Sequence, residues 1–371
     1  MVAVLVVGAG PAGLSTATTI LEHDPSINVI IVDKKLKAGE NPKCGGGINR
    51  FAIKFLRENN VPIPSEAILA KINCFRAYSP DLHYWDFKTD EILGYILNRE
   101  VFERNLAKRV ESLGAEFFWN YNITEEALGR LKLRFDYIVG CDGFPSVVGK
   151  WAGAPQPALC DIAHVIQKVV KHKQQPQNRL DIYFGSRYAK QGYAWVFPKG
   201  EDEIRMGLGV LLSLKLNVKA LLDFFSYNVA YDLEEKELIS RLLPLTKPRK
   251  TNVFCNGEVL LVGDAGLHID PVSGAGIWQA VYAGKACGKA IAEGKPRNYD
   301  DYVRWLDGEN RWGYRGKKLL VGLRDQEWNE IINKLNKENP VFTSSKGSAL
   351  RTIAKWIMRK KPSLFWRFIR G

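Results

Sequence analysis

The chain has 371 residues, 46% of them hydrophobic and 25% charged, the balance of a globular protein with room for about two or three domains. No apolar run approaches the roughly 18 residues of a membrane span. The net charge of +13 is concentrated at one end, where residues 339–371 carry eight Lys or Arg and no acid, leaving +5 for the rest. No recognition motif accompanies that charge, so nucleic acid is not an expected partner.

From the N-terminus, an apolar strand starting at Val2 runs into VLVVGAGPAGLSTA at residues 4–17. With no basic leader or cleavable apolar segment before it, the expected location is the cytoplasm. Gly8 permits a tight turn, Gly10 lets backbone approach a pyrophosphate, and Gly13, after Ala12, lets the following helix pack closely on the strand. The helix N-terminus then offers free amides and its positive dipole end to phosphate. A second strand, INVIIV, ends at Asp33, twenty residues beyond Gly13. An acid there suits a ribose 2′-hydroxyl and repels a 2′-phosphate, which leaves FAD and NAD open and disfavours NADP.

Residues 50–58 are predicted to be helical, and 70–97 to hold two or three short strands ending near GYILNR. REVFERNLAKRVESLG reads as an amphipathic helix with Phe102, Leu106, Val110 and Leu113 on its apolar side. AEFFWN and RFDYIVGCDG are further strands, the second ending at Asp142 and Gly143. Between 161 and 211 the runs IAHVIQKVV, LDIYFG, YAWVFP and EIRMGLGVLL predict an antiparallel sheet, with helices to follow near 217–229 and 234–243.

A second glycine segment, VLLVGDAGLHIDPVSGAGIWQA at 259–280, follows a buried strand and leads into a long helix predicted from about Val272. Two glycine segments at opposite ends of the chain imply that both halves of one large cofactor are held, and FAD fits that demand. The predicted fold is α/β. A discontinuous Rossmann-like FAD-binding domain (1–70, 98–160 and 250–295) carries an inserted antiparallel-sheet substrate domain (71–97 and 161–249). A helical C-terminal region, 296–371, follows.

The six cysteines, at 44, 74, 141, 160, 255 and 287, show no CxxC pair and no metal spacing, so reduced thiols and no metal are expected. In the basic tail, Leu350, Ile353, Ala354 and Ile357 share one helical face and Arg351, Lys355 and Arg359 another, followed by SLFWRFIRG with Arg367 and Arg370. Aromatics interleaved with cations suggest peripheral contact of 346–371 with an anionic membrane surface.

GAGPAG, NREVFERNL, the GCDG turn and VGDAGLHIDPVSGAG together resemble the p-hydroxybenzoate-hydroxylase-type flavoproteins over roughly residues 1–295. Within that group, NPKCGGGI at 41–48 and GYAWVFPKG at 192–200 are similar to the geranylgeranyl reductase family. The resemblance implies that Asp264 accepts hydrogen bonds from ribityl or ribose hydroxyls. Pro271, Gly274 and Gly276 would lead to a helix, at Ile277, whose positive end faces the flavin and stabilises the negative charge of its reduced form. Arg99 would meet the cofactor phosphate or ribityl chain, the backbone of Ile123 the adenine, and Asp142 and Gly143 of the GCDG turn would also contact the cofactor.

By the same resemblance the loop with Cys44, Gly45 and Gly47 borders the flavin ring, and the thiol would tune the flavin, position substrate or deliver a proton. Tyr193, Trp195 and Phe197 alternate, so they project from one face of a strand that Pro198 and Gly200 end, and with Pro198 they are the expected substrate contacts, walling an apolar isoprenoid channel. The implied reaction passes hydride from reduced FAD to a trisubstituted alkene, with a proton from Cys44 or an ordered water. The chain shows no second dinucleotide fingerprint, so ferredoxin or transient NAD(P)H is the expected electron donor. Two other functions fit the same residues: a flavin monooxygenase or halogenase, and a lipid carrier that retains FAD structurally. Tyr193-x-Trp195-x-Phe197-Pro198 is reminiscent of the halogenase Trp-x-Trp-x-Ile-Pro but lacks its first Trp and its Ile.

Overall fold

A computed structural model describes residues 2–172, 175–200, 202–230, 235–338, 357 and 359. The chain opens with β1 (Ala3–Val7), α1 (Pro11–His23) and β2 (Asn28–Val32), then β3 (Gly47–Asn49) and α2 (Arg50–Glu58). Four short strands follow, β4 (Ile68–Ile72), β5 (Cys74–Tyr78), β6 (Tyr84–Lys88) and β7 (Gly94–Leu97), where the sequence suggested two or three. Then come α3 (Arg99–Ser112), β8 (Glu116–Phe118), α4 (Glu125–Leu131), β9 (Tyr137–Gly140) and α5 (Val147–Trp151). The central stretch holds β10 (Ile162–Lys171), β11 (Arg179–Phe184), α6 (Ser186–Ala189), β12 (Tyr193–Gly200), β13 (Glu203–Leu211), α7 (Val218–Val229) and β14 (Glu235–Pro244). After it the chain forms β15 (Val253–Phe254), β16 (Val259–Leu261), α8 (Ile277–Ala292), α9 (Tyr299–Tyr302), α10 (Arg304–Val321) and α11 (Asp325–Glu338).

The dinucleotide-binding half is a six-stranded sheet in the order β15-β16-β9-β1-β2-β8, parallel except at β15. Its central strands are continuous apolar runs because helices cover the sheet, and Val4, Val6, Leu260 and Leu261 are fully buried. The helices α1 and α8 pack closely on one another. An added Cβ at Gly284 would lie 2.6 Å from the Ala12 carbonyl, and one at Gly288 2.6 Å from that of Thr16, so only glycine lets the two helices approach this far.

The second body is a seven-stranded sheet in the order β14-β10-β13-β12-β11-β5-β6. It is antiparallel apart from the parallel β5–β11 pair, which inserts the early hairpin beside a strand formed a hundred residues later. A small sheet, β3-β7-β4, lies between the two and carries the end of the Cys44 loop into β3.

Two sequence expectations are corrected. Residues 235–244 form a strand, not a helix, because pairing with β10 from Ile162 to Val170 outweighs the helix preference of its Glu, Lys and Leu residues. The long helix begins at Ile277 rather than Val272, because Gly274 is left-handed (φ 66°) and the Asp270 carboxylate caps the Val272 amide in a separate turn. The basic tail lies outside the described residues except for Ile357, which is fully buried in the cluster that includes Trp85 and Trp328, and the exposed Arg359.

Candidate active site

The first glycine loop fits a dinucleotide. Gly8 sits at φ 109°, and a Cβ there would lie 2.3 Å from the Cys141 carbonyl; at Gly13 it would lie 1.9 Å from the Gly8 carbonyl. At Gly10 nothing occupies the 4 Å around a Cβ, which leaves open space above the loop for a pyrophosphate. Asp33 closes the loop, accepting from the Ala9 amide at 2.7 Å and the Lys35 amide at 2.9 Å. Each carboxylate oxygen keeps a further acceptor position for a ribose hydroxyl. The second glycine segment meets the first directly, since a Cβ on Gly263 would lie 2.9 Å from that of Ala12.

The helices α2, α3, α4, α5 and α7 start under side-chain caps from Asn49, Asn98, Thr124, Ser146 and Asn217. The helices α1 and α8 start at Gly10 and Gly276 with no such cap, which α6, α9 and α10 also lack. The first amides of α1 and α8 are thus available to an acceptor brought by a ligand, as a phosphate or a reduced flavin would be. Asp264 lies at the entrance to α8, its Oδ1 3.3 Å from where a Cβ on Gly276 would stand.

Not every predicted contact falls at this surface through its side chain. The carboxylate of Asp142 accepts from the Ser146 hydroxyl and the Val147 and Val148 amides, so it caps α5, while Gly143 (φ 80°) turns the chain beside it. Ile123 is buried among Leu5, Val7 and Val32.

A cavity of ≈ 730 Å³ connects the cofactor motifs to the seven-stranded sheet. At one end its lining includes Cys44, Gly45 and Gly47 on one side and Pro271, Gly274, Gly276 and Ile277 on the other; its wall includes Tyr193, Trp195 and Phe197. These three rings follow one another at centroid separations of 5.8 and 6.1 Å, as alternation along β12 requires. Phe197 lies beneath the glycine loop, 3.3 Å from a Cβ placed on Gly45. Pro198, predicted as a substrate contact, is buried outside this lining.

The Cys44 loop is held by three side chains that the sequence did not single out. Gln167 donates to the Cys44 carbonyl at 3.2 Å, Arg205 to that of Gly45 at 3.0 Å, and Arg241 to that of Lys43 at 2.8 Å. They come one each from the adjacent strands β10, β13 and β14. Arg241 pairs in register with Val165 and Arg205 with Val169, so the three donors lie on one diagonal across the sheet. Gly46, at φ 78°, completes the turn, where a Cβ would meet the Leu97 carbonyl at 2.6 Å. The signal available in the sequence was Arg205 itself, a cation inside the strand EIRMGLGVL, which is otherwise apolar after Glu203.

Arg99 is largely buried and pairs with Glu103, one turn on in α3, and with the Cys44 thiol. Its Nε is buried without a partner among the described residues, a donor left for a ligand. Burial pushes the Cys44 thiol up, but Arg99, the Gly46 amide at 3.3 Å, Arg241 and Arg205 outweigh it and hold the thiol below the ordinary cysteine value. Such a thiol is a stronger acid than a free cysteine while remaining able to carry a proton.

Residues 161–243 match the geranylgeranyl reductase catalytic domain, and residues 1–201 an FAD binding domain. The digeranylgeranylglycerophospholipid reductase of Methanocella arvoryzae is 30% identical over 365 residues, covering 90% of each chain. That of Methanothrix thermoacetophila is 28% identical and covers 98% of this chain and 97% of its own. A geranylgeranyl bacteriochlorophyll reductase-like structure from Thermoplasma acidophilum superposes with a TM-score of 0.85 at 22% identity, over 100% of this chain and 99% of the other. A flavin-dependent brominase shares the fold alone, with a TM-score of 0.66 at 12% identity over 97% and 99% of the two chains.

Proposed function

Since the chain belongs to the geranylgeranyl reductase family of FAD-dependent oxidoreductases, we propose that it saturates isolated C=C bonds in the geranylgeranyl chains of a glycerophospholipid. The observation that carries this reading is a cavity that joins an apolar aromatic wall to the Cys44 loop and to the Pro271–Ile277 end of the second glycine segment. A phospholipid is the substrate because the chain matches the digeranylgeranylglycerophospholipid reductases over nearly its whole length.

FAD, bound and reduced, supplies the hydride. The residues that hold it are Gly8, Gly10, Ala12, Gly13 and Asp33 for the adenosine and pyrophosphate, and Asp264, Pro271, Gly274, Gly276 and Ile277 for the ribityl chain and ring. Arg99 contributes its free Nε. Tyr193, Trp195 and Phe197 orient the prenyl chain and exclude water, which an isolated alkene requires because it is a poor hydride acceptor. Cys44 holds the proton that completes the saturated bond, and its arginine surroundings favour release of that proton.

The reductant reaches the site transiently, as ferredoxin or a pyridine nucleotide, and the basic segment 346–371 holds the enzyme at an anionic lipid surface. Among the described residues no helix is long and apolar enough to cross a membrane. The test is direct: protein purified with FAD is reduced without oxygen and mixed with digeranylgeranylglycerophospholipid, and lipid masses are recorded. The expected result is a gain of one hydrogen molecule for each bond saturated. No gain, or, in a parallel reaction with oxygen and halide supplied, oxygen consumption with hydroxylated or halogenated product, overturns the reading.

A further inference from the structure

Arg241 has one foot on each side of the site. Its Nη1 donates to the Lys43 carbonyl at 2.8 Å, and its Nη2 meets the Asp264 carboxylate at 2.5 Å. Lys43 immediately precedes Cys44, and Asp264 is the carboxylate aimed at the start of α8. Both ends of the guanidinium fork are therefore in use, and the planar fork fixes the two partners relative to one another. The opposite oxygen of Asp264, Oδ1, faces Gly276 and stays available to hydroxyls of a bound cofactor.

The loop has two other anchors, Gln167 and Arg205, and neither is bonded to Asp264. Arg241 alone among the three ties the loop to the cofactor carboxylate. The thiol of Cys44 is faced by Arg99 from α3, Arg205 from β13 and Arg241 from β14, with Glu103 behind Arg99 and Lys43 beside it in the loop.

We infer that Arg241 is a positioning residue that couples occupancy of the flavin pocket to the placement of the Cys44 loop. A cofactor hydroxyl that orders Asp264 orders Arg241, and through it the loop that presents the thiol. Coupling of this kind is reciprocal, so a loop that is well held must in turn raise affinity for the cofactor. The inference rests on the FAD-dependent reading above and adds to it the route by which the cofactor and the proton-bearing loop sense one another.

The experiment is a double-mutant cycle on FAD affinity, read by quenching of flavin fluorescence in apoprotein titrated with FAD. Arg241→Met is expected to weaken FAD about 10-fold. Gln167→Ala, which loosens the loop at the Cys44 carbonyl only, is expected to weaken FAD about 3-fold when Arg241 is present and to have no further effect when it is absent. Arg241→Lys keeps the charge but not the two-armed fork, and it serves where Arg241→Met does not fold. It should lose the coupling while leaving the pH profile of Cys44 alkylation in the apoprotein near that of wild type, whereas Arg241→Met moves the profile upward. Alkylation is followed peptide by peptide, with the exposed Cys160 as internal reference.

Wild-type affinity in Arg241→Met, or effects of the two substitutions that simply multiply, overturns the coupling. Failure of wild-type protein to bind FAD at all overturns the functional reading instead.

Discussion

The phenol of Tyr193 donates to the carbonyl of Ser273 at 2.5 Å, a bond that ties the aromatic strand to the turn leading into α8. Burial and the nearby Asp270 raise the Tyr193 hydroxyl well above its ordinary value, so it remains a donor at all working pH values. Tyr193 thus joins the cavity wall to the cofactor loop as well as lining the channel. Tyr193→Phe keeps the ring and strands the carbonyl, at a cost of about 1–3 kcal/mol. The expected outcome is weaker FAD retention, measured as the flavin-to-protein absorbance ratio after dialysis, with little change in lipid affinity.

Cys44→Ser replaces an acidified thiol by a much weaker acid of similar size. If Cys44 delivers the proton, reduction by the pre-reduced enzyme falls roughly 10²-fold or more. The flavin spectrum stays, because the loop carbonyls that Gln167, Arg205 and Arg241 hold are unchanged. In wild-type protein the donor is lost as pH rises through the thiol's lowered value, so the rate declines at a pH below the ordinary cysteine range of about 8.5. Single-turnover rates against pH check both points.

Gly207 makes room for Trp195: a Cβ at Gly207 would lie 2.5 Å from the indole Cζ2 and 2.6 Å from the Gln167 Cβ. Gly207→Ala must therefore displace the ring or the clamp, at about 1–3 kcal/mol. A lowered melting temperature together with a raised KM for the prenyl substrate is the expected pair of results. Wild-type KM would show that the indole does not shape the channel.

His268 and Asp307 lie 3.9 Å apart in the interior, at ion-pair distance, yet burial favours the neutral form of each. Desolvation, with Arg249, pushes the imidazole down to about 3, and desolvation pushes the Asp307 carboxyl up to about 7 despite Arg311. The native state then holds a proton on Asp307 that the unfolded chain, with a value near 3.9, has released. The stability this gives is full at low pH and is lost as pH rises from about 4 through about 7. Asp307→Asn imitates the protonated form and removes that slope. Its stability relative to wild type should climb over this range, by at most about 4 kcal/mol, and stay level above it, as measured by denaturant titration at several pH values. A difference independent of pH would show that Asp307 is ionised throughout.

The cofactor half was legible because its demands are local. Gly8, Gly13 and Asp33 are spaced by the geometry of one strand, one turn and one helix, and GDAG before α8 repeats the same logic. The aromatic alternation of Tyr193, Trp195 and Phe197 was equally readable, since a strand's two-residue period carries it. What escaped was long-range. Residues 235–244 look helical in isolation and become a strand only because β10 offers them a partner. Arg205, Gln167 and Arg241 acquire a shared task only when three strands distant in sequence are laid side by side. The capping of α5 by Asp142, which precedes its first turn by five residues, likewise shows only once the turn is folded.

The clamp on residues 43–45 draws one donor from each of three neighbouring strands, and the strand supplying Arg241 lies at one edge of the sheet and is the last of the seven to be made. A slip of one residue in its pairing would turn that guanidinium to the opposite face. The reactive thiol is thus kept in position only in molecules whose edge has docked in register, so chemical competence doubles as a check that assembly is finished.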